Sequence, residues 1–243
     1  MKRSHKLCSL IIPCILFTST SCRNSFYIEH TISKEVTGGV LEPFDKKVEV
    51  VFYSKGATKY VYNLEDKITY FHKLFDYTKE YSDMNNLCTL NNNVGNNKYT
   101  IVDEDLYKLI KEGVNLTKLT KGYFNIALGK VIDIWEEKFN SCYMNDDNIF
   151  ALNEYKDADI NNYLQFTPHH TEIENYILFN DAEHSIKLNK YNSGAYKLNL
   201  DAFVKGYVFD VISKEFKENK YNGYIKLSDY SKEYYGNNKD NLW

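Results

Sequence analysis

Residues 198–216, LNLDAFVKGYVFDVISKEF, constrain the fold most, because their apolar spacing changes from that of a buried strand to that of an amphipathic helix. We expect a strand over 196–203 and a helix over 204–219, with Lys205 and Gly206 at the junction. Backbone N–H groups at a helix N-terminus attract anions, lysine adds charge, and glycine lets a ligand approach closely. The junction therefore predicts either a phosphate site or a solvated lysine beside a turn glycine.

The rest of the chain alternates between helical and strand patterns. Apolar residues recur at helical spacing over residues 64–82, 102–120, 130–139 and, weakly, 146–155. Strands are expected over 48–54 and 58–64, twice within 170–191, and over 222–237. Residues 83–97 are rich in Asn and resemble a loop. We detect no repeat, and the mixture indicates one α+β domain.

Composition limits the function. The 243 residues are 43% hydrophobic and carry a net charge of -3, so the chain can bury a sizeable core and has no basic footprint for nucleic acid. The 16% aromatic share would suit stacking on a flat ligand, but we interpret it as core filling.

The N-terminus has the form of an export signal. A basic start is followed by a short apolar run, small residues and Cys22. Ser21 before Cys22 predicts a bacterial lipoprotein signal over residues 1–22, with Cys22 lipidated; the alternative is an ordinary signal peptide cleaved nearby. We expect a polar, irregular tether over residues 23–45 and the folded domain over 46–243.

Cysteine and histidine give weaker signals. Cys88 and Cys142 lie far apart and are able to form one disulfide in an oxidising compartment. No Cys or His cluster has zinc spacing. His169 and His170 stand in a polar stretch and are predicted to be surface residues.

Two further stretches suggest a flat ligand. In residues 119–135, Tyr123 and Phe124 would wall a ring and Asn125 would bond its edge; the alternative is a buried strand. In residues 77–93, Tyr81 lies where the predicted helix should end, either as a lid over the ligand or as part of a helix cap and polar loop.

Taken in order, these stretches resemble the motifs of the ApbE family of flavin transferases. Residues 120–125, with Gly129 and Trp135 beyond, are similar to the family's Thr-Gly-Gly-x-Phe-Asp segment. Residues 199–210 are similar to Asp-Leu-Gly-x-Ile-Ala-Lys-Gly-Tyr-x-x-Asp. Upstream, Tyr81, Asn85 and Asn91 are similar to a third family segment, and the resemblance runs over residues 48–243.

The resemblance implies a single ApbE-like, T-fold-like α+β domain of helices and antiparallel strands. It implies Mg²⁺-dependent transfer of FMN from FAD to a Thr or Ser hydroxyl of an acceptor protein, with release of AMP. Tyr81 would stack on FAD, and Lys205 would face its pyrophosphate. The other implied site residues are Tyr123, Phe124, Asn125 and Asn199 for FAD, and the Ala202 carbonyl for Mg²⁺.

The implied setting is outside the cytoplasm. Many family members are exported lipoproteins, which agrees with the N-terminal signal. We therefore expect a protein anchored to the bacterial cell membrane by lipid, acting on secreted or membrane flavoproteins.

The chain departs from the family pattern at three site positions. Asn125 and Asn199 replace family aspartates, and Asp201 replaces a glycine near the expected phosphates. Two charges about 4 Å apart repel by roughly 4 kcal/mol at an effective dielectric constant near 20. Asp201 should therefore oppose FAD binding, unless a cation lies between the charges or Asp201 is itself a cation ligand.

The C-terminal segment in which the family has an Asp and a Thr that ligate Mg²⁺ is not found, so we expect a domain incomplete at its C-terminus. A flavin-binding lipoprotein without transfer activity and an FAD pyrophosphatase giving FMN and AMP remain alternatives.

Overall fold

In a computed structural model, the described residues are 28–32, 34–36, 39–41, 48–53, 57–143, 157–228 and 231–235. The predicted signal with Cys22 and the weak helix expected over 146–155 lie outside these ranges. The described ranges form helices and antiparallel strands, which confirms the α+β class. Within them, no helix has the length and apolarity that a bilayer crossing requires.

The larger sheet is built around β4 (Val48–Phe52). Its four antiparallel strands lie in the order β1 (Ile28–Ile32), β4, β8 (Gly223–Ser228) and β9 (Ser231–Tyr235). Val48, Val50 and Phe52 have no exposed surface. Because alternate side chains of a strand share a face, these three define the side of the sheet that meets the helices.

Strands also occupy part of the segment expected to be an irregular tether. Besides β1, residues 34–36 (β2) and 39–41 (β3) form an antiparallel pair. β1 is rich in β-branched residues, which favour strands, and it completes the backbone hydrogen bonding along one edge of β4. The expectation that these residues have an irregular backbone was therefore wrong.

A long helix, α1 (Ala57–Phe75), replaces the strand expected over 58–64. Val61, Leu64 and Ile68 are buried at spacings of three and four residues, and the same face continues through Phe71 to Leu74. The strand prediction gave more weight to the β-rich composition of the segment than to its helical period. That period runs unbroken into the next residues, so the prediction was wrong.

A second long helix, α6 (Asp201–Glu218), contacts α1. Its buried face consists of Val204, Val208, Ile212 and Phe216, each four residues from the last. The strand expected over 196–203 is wrong: in that segment Lys197 forms a single isolated bridge with Leu128, and the helix starts at Asp201.

The remaining elements include a small sheet with the antiparallel strand order β5-β7-β6. Its β6 (Ile177–Asn180) and β7 (Ser185–Leu188) confirm the hairpin predicted within 170–191, and β5 (Thr100–Ile101) adds an edge. The other helices are α2 (Leu87–Asn92), α3 (Glu104–Leu119), α4 (Gly129–Tyr143) and α5 (Asp157–Leu164).

The helix α2 lies within residues 83–97, which were expected to form a loop. Asn86 caps it by accepting a hydrogen bond from the Thr89 N–H at 3.0 Å, while the Thr89 hydroxyl accepts one from the Asn86 N–H. The Asn86 amide also donates to the carbonyls of Lys73 and Lys79, so this fully buried side chain joins α1 to α2. The expectation missed the reciprocal cap, which makes a polar sequence helical.

An aromatic cluster closes the core between the larger sheet and α6. The Phe52 and Phe216 rings stack with centroids 4.9 Å apart. Tyr60 and Tyr221 lie near both rings, 4.8 Å from each other. Both phenylalanines are fully buried, so this cluster stabilises the packing of α6, the helix that carries Lys205.

We expect Phe216→Ala to lower the free energy of unfolding by about 3–5 kcal/mol, because it removes a fully buried ring and leaves a cavity. Tyr62→Ala is the control, since Tyr62 is 61% exposed, and should cost less than about 1 kcal/mol. Urea unfolding followed by circular dichroism measures both. Equal losses would show that the cluster is not a core.

Candidate functional site

Two of the segments that resemble family motifs lie side by side, at residues 126–129 and 197–199. The Asn199 N–H donates to the Ile126 carbonyl at 2.8 Å, and the Gly129 N–H donates to the Lys197 carbonyl at 2.8 Å. Leu128 and Lys197 form a parallel bridge between them. Residues 68 to 73 positions apart in sequence are thus brought to one place, immediately before α4 and α6.

Gly129 is required by this contact. A Cβ atom at that position would lie 2.6 Å from the Lys197 carbonyl oxygen, which is closer than a carbon atom tolerates. Only glycine lets the two backbones approach this far.

The third motif joins the same place through Asn91. Its Nδ2 donates to the Leu198 carbonyl at 3.0 Å, and its Oδ1 accepts from the Leu198 N–H at 2.7 Å. Leu198 is fully buried, so without Asn91 its two backbone polar groups would lack these partners. All three resembled segments therefore meet around residues 197–199.

Asn199 lies at the centre of this junction and is 6% exposed. Its Oδ1 accepts a hydrogen bond from the Asp201 N–H at 2.9 Å, at the start of α6. Its Nδ2 is buried and makes no hydrogen bond to a residue that the structure describes. A buried amide donor without a partner is costly, which favours a ligand acceptor at this point.

The start of α6 places the lysine differently from the sequence expectation. The helix begins at Asp201, so Lys205 is its fifth residue, one turn inside, and does not lie on a strand-to-helix junction. Ala202 and Asp201 are exposed in the first turn, and Lys205 is half-buried. The two charged residues stand four positions apart, so they share a helix face.

A polar network covers the start of α6 on the side of α4. The Tyr77 hydroxyl lies 3.1 and 3.2 Å from the two Glu136 carboxylate oxygens. Lys197 forms an ion pair with Asp133 at 2.6 Å, and its Nζ lies 4.5 Å from the Tyr77 ring centroid. Sequence analysis missed Tyr77, Asp133 and Glu136, because no local pattern shows that Tyr77 and Lys197 reach α4.

This network perturbs the Asp201 carboxyl. Desolvation by the surrounding protein raises the pKa of Asp201, and the Glu136 carboxylate raises it further. The Tyr77 hydroxyl, the Lys205 ammonium and the Asn199 amide act in the opposite direction on that pKa. Desolvation and the Asp201 and Glu136 charges also raise the pKa of Tyr77, which therefore stays a neutral phenol at neutral pH.

A cavity of about 470 Å³ opens beside Asn125. The Asn125 Nδ2 donates to the Pro168 carbonyl at 3.0 Å, and its Oδ1 accepts from the Ala127 N–H at 2.9 Å, so both ends of the amide are fixed. The other lining residues come from three segments: Lys121, Gly122 and Leu128; Leu164, Gln165, Thr167, Pro168, His169 and His170; and Tyr191 and Asn192.

The two histidines predicted to be surface residues belong to this cavity wall. Their ring centroids are 4.0 Å apart, and His169 Nδ1 lies 2.8 Å from the Thr171 hydroxyl. Desolvation, the His169 ring and the Lys121 charge lower the pKa of His170. Gly122 has a φ of +83°, and a Cβ there would lie 3.1 Å from His170 Nδ1, so glycine suits both the backbone and the contact.

The three predicted aromatic residues occupy unlike environments. Tyr123 is 96% exposed, and Phe124 packs edge-to-face against Phe203 with centroids 5.5 Å apart. Neither lines the cavity beside Asn125. Tyr81 is partly buried in the loop after α1, where its hydroxyl donates to Asp76 Oδ2 at 3.0 Å.

The Tyr81 ring lies between two cations, Lys73 and Lys79, each with Nζ 5.3 Å from the ring centroid. Although desolvation opposes it, hydrogen bonds from Thr78, the Lys79 N–H and Tyr81 hold the pKa of Asp76 below its usual value. An ionised Asp76 thus fixes the Tyr81 hydroxyl and leaves its ring beside two positive charges.

Side chains able to bind a metal are many in the sequence but do not cluster in the described part of the chain. Within the described ranges, no group of three or more His, Cys, Asp or Glu residues could hold a metal ion. Cys88 is a buried free thiol, and burial raises its pKa.

Comparison with known proteins gives one family and one fold. The model of the ApbE family matches residues 44–228. No curated protein sequence matches the chain significantly.

Several solved structures share the fold. One is the ApbE protein of Thermotoga maritima MSB8, with 21% identity, a TM-score of 0.57, and 82% of this chain and 56% of that chain covered. Flavin transferase ApbE from Vibrio cholerae has 12% identity and a TM-score of 0.60, with 89% of this chain and 62% of that chain covered. The apo form of Pseudomonas stutzeri flavinyl transferase ApbE has 14% identity and a TM-score of 0.57, with 88% of this chain and 60% of that chain covered. The chain thus spans 56–62% of the length of these structures.

We expect Asn91→Ala to lower the free energy of unfolding by about 2 kcal/mol or more, because two buried backbone groups of Leu198 lose their partners. Asn92→Ala is the matched control: Asn92 is exposed and bonds Glu80, so its loss should stay below about 1 kcal/mol. Thermal and urea unfolding measure both. If Asn91→Ala lowers the free energy of unfolding no more than Asn92→Ala does, Asn91 does not anchor this segment.

Proposed function

Because this chain belongs to the ApbE family, we propose that it transfers FMN from FAD to a Thr or Ser hydroxyl of an acceptor protein, releasing AMP. The observation that carries the proposal is the meeting of three separated motif segments around residues 197–199. A site assembled from distant segments, with a buried unpaired donor at its centre, is typical of ligand binding.

The proposed pyrophosphate position is the first turn of α6. The buried Asn199 Nδ2 would donate to a phosphate oxygen, and Lys205 adds a full positive charge one turn along the helix. The helix N-terminus adds partial positive charge. Together these groups favour an anion more strongly than any of them would alone.

The proposed flavin-binding residues are Tyr81, Tyr123, Phe124 and Asn125. The cavity beside Asn125 measures about 470 Å³, within the range of small-molecule sites. Its mixed wall of amide, imidazole and apolar groups suits a heteroaromatic ring system with polar edges. Tyr81, a ring flanked by two lysines, is suited to stacking near a phosphorylated ligand.

In the proposed reaction, the acceptor hydroxyl oxygen attacks the phosphorus of the FMN half of FAD. The new oxygen–phosphorus bond forms as the pyrophosphate bond breaks, AMP leaves with the bridging oxygen, and the hydroxyl proton passes to solvent water. Lys205 and the helix N-terminus stabilise the negative charge that develops on the phosphate oxygens. The chain thus supplies position and electrostatics.

Mg²⁺ is part of the proposal, with the Ala202 carbonyl as one ligand; when bound, it neutralises charge on the phosphates. The donors at the start of α6 are carbonyl and carboxylate oxygens, the ligand type that Mg²⁺ prefers, so they fit this ion.

We also propose that the protein is anchored outside the cytoplasm by lipid on Cys22, with secreted or membrane flavoproteins as acceptors. The sequence of residues 1–22 supports this placement.

A flavin-binding protein without transfer activity is the second candidate, and Asp201 favours it. A carboxylate in place of glycine, in the same turn as the proposed phosphate position, weakens anion binding unless a cation offsets it.

The test uses the full chain in detergent. FAD fluorescence titration measures binding, and incubation with FAD, Mg²⁺ and a Thr-bearing acceptor peptide follows flavin transfer and AMP release by chromatography. Flavinylated peptide with equimolar AMP supports the transferase. FMN with AMP and no flavinylated peptide identifies a pyrophosphatase, and binding without AMP identifies the second candidate.

We expect Lys205→Ala to weaken FAD binding by about tenfold or more, since a charge-assisted bond is worth about 1.5–3 kcal/mol. Lys214→Ala, an exposed lysine on the same helix, is the matched control and should leave affinity within about twofold of the original. Fluorescence titration compares them. Unchanged affinity in Lys205→Ala would remove this residue from the pyrophosphate site.

A further inference from the structure

The wall of the cavity beside Asn125 is positively charged or neutral throughout its described part. Among the described residues that line it, Lys121 carries a full charge, His169 and His170 are able to gain one, and none is an aspartate or a glutamate. The first turn of α6 differs, because it carries the Asp201 carboxyl beside Lys205. The cavity is therefore the place where an anion meets less repulsion.

The charge of Lys121 is available to a ligand. This exposed side chain forms no ion pair or hydrogen bond with a residue that the structure describes. Lys118, one turn earlier, pairs with Glu174 at 2.7 Å. Glu172 accepts a hydrogen bond from the Tyr191 hydroxyl at 3.3 Å. The carboxylates that follow the two histidines in sequence thus have other partners and leave Lys121 unneutralised.

The two histidines add donors beside that lysine. Their ring centroids are 4.0 Å apart, and His169 Nδ1 accepts a hydrogen bond from the Thr171 N–H at 3.4 Å. With Nδ1 as an acceptor, the neutral His169 ring carries its proton on Nε2, which is then a donor. The His170 ring forms no hydrogen bond with a residue in the described ranges, so its nitrogens are also available.

These groups repel one another when the cavity is empty. Desolvation, the His169 ring and the Lys121 charge all lower the pKa of His170, so its ring is neutral at neutral pH. An anion between them would offset this repulsion and favour a second proton on His170. The groups that act on His170 therefore disfavour a further cation and favour an anion.

A phosphate monoester has the charge and the shape for this wall. It carries a charge of about -1.5 to -2 at neutral pH and several strong acceptor oxygens, so one lysine and two imidazoles are able to donate to it together. The cavity measures about 470 Å³, which leaves room for the organic part of a ligand. Its apolar wall is made by Leu128, Leu164 and Pro168.

We propose that Lys121, His169 and His170 form a subsite for a phosphate monoester in this cavity, separate from the pyrophosphate position at the start of α6. The group belongs to inorganic phosphate or to a phosphorylated flavin such as FMN. One consequence rests on the proposed function, which places the flavin of FAD in the same cavity: FMN bound here would compete with FAD.

The first test titrates inorganic phosphate into the full chain in detergent and follows the imidazole resonances of its six histidines by NMR. Two resonances, assigned to His169 and His170 by single substitution, should shift and saturate. Lys121→Gln should abolish the saturation. Lys220→Gln is the matched control, since Lys220 is also exposed and has a φ of +53° against +54° for Lys121, and it should leave the titration unchanged.

Circular dichroism verifies that each variant folds. No shift, or an unsaturated shift shared by the other histidines, overturns the subsite.

The second test compares FMN with riboflavin, which has the same ring system and lacks the phosphate. Flavin fluorescence should show FMN binding more tightly by about tenfold or more, the factor that a charge-assisted bond supplies. Lys121→Gln should lose most of this difference, and Lys205→Ala should keep it. If Lys205→Ala loses the difference and Lys121→Gln keeps it, the monoester lies at α6 and the proposal is overturned.

The two tests separate the possible sources of the phosphate and separate the subsite from the proposed function. Saturation by inorganic phosphate without a gain for FMN over riboflavin supports the subsite and identifies inorganic phosphate as its ligand. Addition of FMN should weaken the apparent affinity for FAD. If FMN binds through Lys121 and FAD affinity is unchanged, the subsite stands and the proposed placement of the flavin fails.

Discussion

The two hydrogen bonds between the Asn91 side chain and the Leu198 backbone hold the candidate site together. They connect residues 107 positions apart and satisfy the polar groups of a fully buried backbone segment. On one side of this segment lies the Ile126–Gly129 turn, and on the other the first turn of α6. Because the start of α6 follows directly from Leu198, the positions of Asn199, Asp201 and Lys205 all depend on this anchor.

The site also shows how charge is distributed around that anchor. Lys197 forms an ion pair with Asp133 and lies over the Tyr77 ring, so its charge is paired with these groups. Asp201 and Glu136 lack such partners among the described residues, and Lys205 stands one turn further along the helix. The carboxylates at this point therefore oppose the positive charge of Lys205.

Much of the fold follows from the sequence, because its long helices bury unbroken apolar faces. The faces of α3 and α6 were predicted from spacing, as was the hairpin of β6 and β7. The segment over 58–64 was assigned to a strand because composition was weighed above a period that continues into Ile68. The strand expected before α6 failed for another reason: Asn91 and the Ile126 carbonyl take its hydrogen bonds, so no ladder forms.

Within the site, the three motif segments were predicted to belong together, and their meeting at residues 197–199 agrees with that. The cavity wall could not be predicted, because residues 164–170 and 191–192 reach Asn125 through tertiary folding that no local pattern records. The same holds for Glu136, a residue of α4 that accepts a hydrogen bond from the Tyr77 hydroxyl; α4 follows the Gly129 contact with Lys197. Sequence indicated candidate residues for the chemistry, and packing determined which of them became neighbours.

The contact between residues 126–129 and 197–199 is made almost entirely by main-chain atoms. Its geometry is therefore indifferent to most side chains at these positions, provided that Gly129 is kept. The side chains at 125, 199 and 201 can therefore depart from the family pattern expected from the sequence without removing these main-chain hydrogen bonds. Side chains on these two segments can therefore be varied, by evolution or by design, to change ligand chemistry while the supporting backbone contact is kept.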